Sequence, residues 1–364
     1  MPAEEPQRRG TSFCRGITGT RSRTRLSAWA FQKRASSFTS KLQSRLLQAL
    51  GIPFTALLSV VFGLFLVSFP IGMFVVFESE LGGDINHEYP LTHLDLFYGT
   101  DLYQSPSWVT MGDVFVTLWA LYAVVFVVSM MGPRQGFLRS LSAVISHGKY
   151  DSLSSYMVGI TKWFSVLVLA SVVVDIVQSG FGVKIVPPAS GNDLEQFFYV
   201  SLAPVLEEVG FRVVLLGIPL FVMYSGRTSI RYFVRCLWRP YDLDIIHYRK
   251  AAVLIAVVAV LFGLAHIVTG EPWSEGKFAP AAASGAILGW AYLRYGFAAS
   301  LLIHWATNYF IFAYATFVSQ TNLVSLEVAF MHPLLSSIEI ILIMAGVVSV
   351  LMMMAHRLRI GSEV

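Results

Sequence analysis

Three ionisable side chains interrupt a long apolar stretch of the sequence. The segment "APVLEEVGFR" places Glu207, Glu208 and Arg212 between "FFYVSL" and "VVLLGIPLFVMY". In a helix, Glu208 and Arg212 are four residues apart and share a face, with the glutamate N-terminal to the arginine, the better order for a pair. Glu207 points about 100° away and lacks that partner. One carboxylate is therefore held by an arginine, and the other can accept a proton or hold a water.

Two further segments carry chemically useful side chains at helical spacing. "FGLAH" places Phe262 and His266 four residues apart, and "HWATN" does the same for His304 and Asn308. If the faces of these stretches converge, one pocket contains a carboxylate, two imidazoles and an amide. A glutamate with a histidine can activate water as a general base, and a histidine with an asparagine can donate to a developing oxyanion. The combination predicts a hydrolytic site.

The elements that position these residues are predicted to be membrane helices. The chain has 364 residues, of which 55% are hydrophobic and 13% charged, whereas soluble domains are usually about 25% charged. A helix needs about 20 apolar residues to cross a bilayer. The sequence predicts an all-α polytopic membrane protein with about eight transmembrane helices. They lie at roughly 51–77, 108–131, 157–178, 197–224, 251–269, 279–294, 297–318 and 334–356.

The basic residues alternate between the connecting segments. Lys and Arg collect on the cytoplasmic side of membrane proteins. Residues 1–49 contain ten of them, residues 78–107 contain none but have six acids, and residues 227–250 contain six. The alternation predicts an integral, multi-pass protein with cytoplasmic N- and C-termini, and it leaves Lys184 and Lys277 on the outer side. The positive charge is assigned to topology and to membrane lipid, and no nucleic-acid partner is predicted.

The same pattern divides the chain into three parts. Residues 1–49 are predicted to be a cytoplasmic basic extension, partly disordered and partly lying on the membrane surface. Residues 50–357 form the eight-helix domain, whose motifs occupy about 195–318, and residues 358–364 form a short cytoplasmic tail. Three other ionisable residues lie near the ends of predicted helices, where a charge is tolerated, and receive no functional role: Lys162, Asp175 and Glu339.

The three motifs, in this order and each in a separate predicted helix, resemble those of one family of membrane proteases. "EEVGFR", "FGLAH" and "HWATN" are similar to the EExxxR, FxxxH and HxxxN motifs of the CPBP family, the CAAX proteases and bacteriocin-processing enzymes. The resemblance implies an eight-helix intramembrane fold and a glutamate-dependent endopeptidase. Eukaryotic members remove the last three residues of prenylated CAAX proteins, and bacterial members are linked to peptide processing and bacteriocin immunity.

The resemblance also implies a role for each motif position. Glu207 corresponds to the catalytic glutamate and His266 to its partner in activating water. His304 and Asn308 correspond to the oxyanion stabilisers. The remaining positions correspond to a supporting pair and a packing residue: Glu208, Arg212 and Phe262. The implied partner is a peptide or protein substrate, which could be lipidated or membrane-embedded, and no metal or other cofactor is implied.

Other functions are compatible with parts of the pattern. Ser284–Gly285 resembles the serine motif of rhomboid proteases, with His304 as its base, but Ala282 stands where a rhomboid has Gly. Gly285 and Gly289 are four residues apart, which instead predicts helix packing. Zinc could use the same Glu and His residues, although no HExxH motif is present. A non-catalytic membrane scaffold or bacteriocin-immunity protein would retain the pocket for packing or peptide binding.

Overall fold

The computed structural model of the protein describes residues 21–78, 108–132, 136–147, 155–185, 193–226, 229–268 and 274–363. Within these ranges all regular secondary structure is helical. The α-helices are α1 Arg21–Phe77, α2 Met111–Met131, α3 Phe137–His147, α4 Tyr156–Gly180, α5 Asp193–Glu207, α6 Ile218–Tyr224, α7 Ile230–Trp238, α8 Tyr248–Val268, α9 Phe278–Tyr295, α10 Phe297–Asn322, α11 Leu326–Phe330 and α12 Pro333–Glu363. A π-helix, Glu208–Gly217, joins α5 to α6, and short 3₁₀ turns occur at Pro240–Asp242 and Glu275–Lys277.

Six helical segments in the described part of the chain are long and apolar enough to cross a membrane. They are Ala49–Phe77, Met111–Met131, Tyr156–Gly180, Tyr248–Val268, Phe297–Asn322 and Pro333–Arg357. The all-α polytopic fold is therefore confirmed, whereas a count of eight is not. The predicted stretch 197–224 is divided among α5, the π-helix and α6 and carries buried charges. The predicted stretch 279–294 coincides with α9, which has 18 residues and is rich in alanine and glycine.

The first helix begins well before the first apolar stretch. Helix α1 starts at Arg21, inside the segment predicted to be a basic extension, and continues to Phe77. Residues 1–20 and most of the acidic connection, 79–107, lie outside the described residues. The predicted domain boundaries and the cytoplasmic location of the termini remain predictions.

Helix α10 is the central element of the bundle, because 72% of its apolar window is buried. The Tyr309 hydroxyl donates to the Ser68 carbonyl at 2.6 Å, and the Tyr314 hydroxyl donates to the Leu64 carbonyl at 2.9 Å. The Trp305 ring stacks on Tyr309 with ring centroids 4.7 Å apart. These contacts fix α10 against α1, so that the two motif residues on α10 are held on a rigid support.

Helices α8 and α9 approach closely through glycine. A methyl group at Gly285 would lie 3.0 Å from Cα of Ala259 and 3.2 Å from Cβ of Phe262, and one at Gly289 would lie 3.0 Å from Ile255. Contacts this short are tighter than ordinary van der Waals distances, as in the small-residue interfaces of membrane helices. The packing role that the spacing predicted for Gly285 and Gly289 is in accord with these distances. The approach also places α9 directly against Phe262.

The helix that carries the first motif changes type at the motif itself. Helix α5 ends at Glu207, and the π-helix begins at Glu208. The N–H of Ile218 bonds to the carbonyl of Val213, five residues earlier, which is the π pattern. π-Helical turns are rare and occur frequently at functional sites. The two adjacent carboxylates therefore stand on opposite sides of a change in helix geometry.

Candidate active site

Both carboxylates of the first motif lie inside the bundle. Glu207 is 6% exposed, and Glu208 and Arg212 are 0% exposed. The Nε atom of Arg212 lies 3.3 Å from Oε2 of Glu208, so the ion pair predicted from their spacing forms. Charges buried to this extent in a membrane protein must be paired to be tolerated.

Glu208 has a second partner that the sequence did not indicate. Nδ1 of His304 lies 2.8 Å from Oε1 of Glu208. A carboxylate paired with an arginine can only accept a hydrogen bond, so Nδ1 of His304 carries the proton and donates. Glu208 thereby orients the His304 ring, and the Nε2 atom of that ring faces the other way.

Glu207 lies between the two motif histidines. Its Oε2 atom is 3.6 Å from Nε2 of His304 and 4.0 Å from Nε2 of His266. The His266 ring is oriented through its other nitrogen, because Nδ1 lies 2.8 Å from the carbonyl of Phe262 and donates to it. The structure thus brings together one carboxylate and two imidazole rings from three separate helical elements.

Phe262 forms the packing centre of this cluster. It is 2% exposed, and its ring centroid lies 4.7 Å from that of His266 and 5.7 Å from that of His304. The Arg212 guanidinium lies over the same ring at 4.5 Å, a cation–π contact. Phe211 packs edge-on against Phe262 at 4.9 Å. The single aromatic ring therefore restricts both histidines and the arginine at once.

A cavity of about 310 Å³ adjoins the two histidines. It is lined by residues from α4, α8, α9, α10 and α12, from the segment after α4 and from the turn before α9. Its polar lining residues are Ser171, Asp175, His266, Lys277, Ser284, His304, Thr307, Asn308 and Glu339. Asn308 therefore shares the cavity wall with His304, as the second pair of motif residues predicted. Asp175 and Glu339 are exposed.

Several of these lining residues were not expected from the sequence. Lys277 received only a topological role, although it follows the His266 segment closely in the chain and directly precedes α9. Thr307 lies next to Asn308 and carries no motif signal. Asp175 and Glu339 were read as ordinary charges near helix ends. Only the packing of helices distant in sequence brings these side chains to one cavity.

Lys277 also interacts electrostatically with the glutamate cluster. It is partly buried in the turn Glu275–Lys277. Burial lowers the pKa of its ammonium group, and the negative charge of Glu207 raises it. The charge of Glu207 therefore acts on an ammonium group that lies in the cavity wall.

Among the described residues, no group of three or more His, Cys, Asp or Glu side chains is arranged to hold a metal ion. The absence of a metal from the reaction remains a prediction, as do the roles of the site residues. For the zinc alternative, the described donors do not supply a ready-made ligand set. For the serine alternative, Ser284 lines the cavity together with His304, whose Nε2 lies 3.6 Å from Oε2 of Glu207.

The fold and the site define an all-α polytopic membrane protein with a buried glutamate–histidine cluster. Residues 194–310 match the family model described as type II CAAX prenyl endopeptidase Rce1-like. The matched segment contains all three motifs, so the resemblance that they predicted is confirmed over this part of the chain. No curated protein and no solved structure matched the chain. The family match supports a peptidase, and with the six apolar helices it supports an integral membrane protein.

Proposed function

We propose that the protein is an intramembrane endopeptidase of the CAAX-protease type, in which Glu207 and His266 activate a water for attack on a peptide bond. The observation that carries the proposal is the position of Glu207, whose Oε2 faces Nε2 of both His266 and His304 at 4.0 and 3.6 Å. The family match supports a peptide or protein substrate. The substrate could be lipidated or membrane-embedded, in keeping with a site inside the bundle.

The spacing of Glu207 and His266 suits a hydrolytic water. A separation of 4.0 Å is too long for a direct hydrogen bond and can be spanned by one bridging water. Because Nδ1 of His266 donates to a backbone carbonyl, Nε2 of the neutral ring is an acceptor. Glu207 and His266 together draw a proton from the water, whose oxygen attacks the scissile carbonyl carbon.

His304 and Asn308 act on the oxygen of the same carbonyl. Glu208 accepts from Nδ1 of His304 and stabilises a positive charge on that ring, so that Nε2–H can donate to the oxyanion. The Asn308 amide supplies a second donor. When the tetrahedral intermediate collapses, the proton taken from water passes to the leaving nitrogen and the C–N bond breaks. Arg212 keeps Glu208 ionised and Phe262 holds the rings, and no metal takes part.

The test is hydrolysis of a defined probe by the purified protein in proteoliposomes. The probe is an internally quenched peptide that ends in a farnesylated cysteine followed by three residues. Glu207→Gln keeps the shape of the side chain but removes the base. Glu207→Gln and His266→Ala, each as a single variant, should lose most activity, since general acid–base catalysis contributes about 10²–10⁴-fold to the rate. Asn308→Ala should lower kcat by about 10²–10³-fold, the usual cost of one oxyanion donor. Glu327→Gln, at an exposed carboxylate that is not among the residues lining the cavity, is the matched control.

The other functions give different results in the same assay. A non-catalytic scaffold or immunity protein would not hydrolyse the probe, and its cellular function would survive Glu207→Gln. Reversible loss of activity with 1,10-phenanthroline, restored by zinc, would indicate a metalloprotease. Labelling of Ser284 by a fluorophosphonate, with loss of activity, would indicate a serine enzyme. Parental activity in folded Glu207→Gln protein would refute the glutamate mechanism.

A further inference from the structure

One lysine lies in the wall of the cavity beside the two histidines. Lys277 closes the turn Glu275–Lys277 and directly precedes α9. Among the described residues that line the cavity, it is the one Lys or Arg. A partly buried ammonium group in such a place loses hydration, and nearby anions stabilise it, as the charge of Glu207 does.

The cavity is larger than the hydrolytic water requires. A water molecule occupies about 30 Å³ in the liquid, whereas the cavity measures about 310 Å³. Much of its remaining wall is apolar and includes Leu167, Val172, Ile185, Ala281 and Leu288. A chamber of this size, with apolar sides and a cation at one place, fits a short piece of substrate that carries a negative charge.

Three carboxylates and one further lysine, Lys184, belong to the surroundings of Lys277; the backbone of Lys184 packs against Gly276. Asp175 and Glu339 line the cavity and are exposed. Glu207 interacts with Lys277 but also faces both histidines. The N-terminus of α9, which begins after Lys277, adds partial positive charge on the same side of the cavity. Lys277 and the N-terminus of α9 therefore supply positive charge on one side of the cavity, where Glu207 opposes it in part.

We propose that Lys277 binds a carboxylate of the peptide substrate and thereby positions the chain for attack at the glutamate–histidine cluster. The proposal rests on the peptidase function above. The charged ligand group is either the C-terminal carboxylate of the peptide or the side chain of an Asp or Glu residue. The limited volume favours a chain end, which needs no path for further residues. Lys277 is in this view a specificity-determining residue and not part of the proton transfer.

The experiment measures binding and so does not depend on turnover. Three fluorescent peptides share a farnesylated cysteine followed by three residues. The first has a free C-terminal carboxylate, and the second has a C-terminal amide. The third has a C-terminal amide on a final glutamate, whose side-chain carboxylate is free. Their dissociation constants are measured by fluorescence anisotropy with purified Glu207→Gln protein, in which the proposed base is removed. The same measurements are made on double variants that combine Glu207→Gln with Lys277→Met, Lys277→Arg or Lys184→Met. Lys184 is an exposed lysine that is not among the described lining residues.

The free acid should bind about ten- to a hundredfold more tightly than the amide, the usual effect of one hydrogen bond to a charged group. Lys277→Met should abolish that ratio, Lys277→Arg should retain most of it, and Lys184→Met should leave it unchanged. Recovery of affinity by the amidated glutamate peptide would assign the site to an acidic side chain, whereas no recovery would assign it to the chain end.

Three results would each overturn the proposal: equal binding of acid and amide, absence of binding, or an equal loss of affinity for both peptides in Lys277→Met. Failure of the glutamate mechanism would show itself separately, as hydrolysis by Glu207→Gln protein.

Discussion

Removal of the Arg212 guanidinium should destabilise the folded protein by about 3–5 kcal/mol, the usual cost of leaving one partner of a buried ion pair uncompensated. Arg212 and Glu208 are both 0% exposed, with 3.3 Å between Nε and Oε2. Arg212→Met preserves most of the side-chain length and apolar contact. It leaves the Glu208 carboxylate buried, with the hydrogen bond from His304 as its remaining contact among those described above.

An exposed ion pair in the same chain provides the matched comparison. Nε of Arg235 lies only 2.7 Å from Oδ2 of Asp242, but the Arg235 side chain is 61% exposed. Exposed pairs contribute about 0–1 kcal/mol because water and salt screen the charges. If distance decided the energy, Arg235→Met would be the more damaging change. Because burial decides it, Arg212→Met should be the more damaging by several kcal/mol.

A double variant separates the loss of the pair from the burial of a charge. Glu208→Gln with Arg212→Met removes both charges, and the glutamine oxygen can still accept from Nδ1 of His304. Replacing a whole buried pair by neutral groups is often close to neutral. The double variant should therefore be more stable than Arg212→Met alone, which is the opposite of additive damage.

The assay is equilibrium unfolding in mixed micelles with increasing SDS, followed by tryptophan fluorescence and far-ultraviolet circular dichroism. Each 1.4 kcal/mol changes the unfolding equilibrium constant tenfold, so the expected difference is easily resolved. The reasoning is refuted if Arg212→Met costs no more than Arg235→Met. It is also refuted if the double variant is less stable than Arg212→Met.

Two further predictions concern topology and helix packing. Single cysteines at Phe181 and Ile246, which are 82% and 79% exposed, should react with an impermeant maleimide from opposite sides of the membrane. Labelling of both from one side would contradict the topology predicted from the alternating charges. Gly285→Ala should lower the thermal unfolding temperature relative to Gly63→Ala, because a methyl group at Gly285 meets a backbone atom of Ala259 at 3.0 Å, whereas one at Gly63 meets nothing within 4 Å. Equal shifts for both glycine variants would exclude close packing of α8 and α9.

The sequence was sufficient to predict which motif residues meet. Charged and polar groups inside apolar helices avoid lipid by facing the bundle interior, so the faces of Glu207, His266 and His304 had a physical reason to converge. The pairing of Glu208 with Arg212 followed from spacing within one helix. These predictions needed only local periodicity and the cost of exposing charge to lipid.

The remaining features depend on contacts that local spacing does not contain. The hydrogen bond between Glu208 and His304 joins residues 96 positions apart, and Lys277 reaches the cavity only because α8 and α9 pack together. The count of eight spans is not confirmed, because six helices in the described part of the chain are long and apolar enough to cross a membrane. The stretch around Glu207 contains buried charge, Pro204 and a change of helix type, none of which a hydropathy profile distinguishes from a simple span.

The π-helix provides a physical reason for treating the two neighbouring glutamates differently. In sequence they are equivalent members of an "EE" pair, and helical spacing predicts only that their side chains point about 100° apart. In the structure Glu208 opens the π-helix and is engaged by Arg212 and by Nδ1 of His304. Glu207 closes α5 and directs Oε2 toward Nε2 of both histidines.

A carboxylate committed to an ion pair is a poor proton acceptor, whereas one that faces two imidazole nitrogens across the width of a water is well placed for proton transfer. The change in helix type at this boundary thus favours Glu207 as the base and Glu208 as the residue that holds His304 in position.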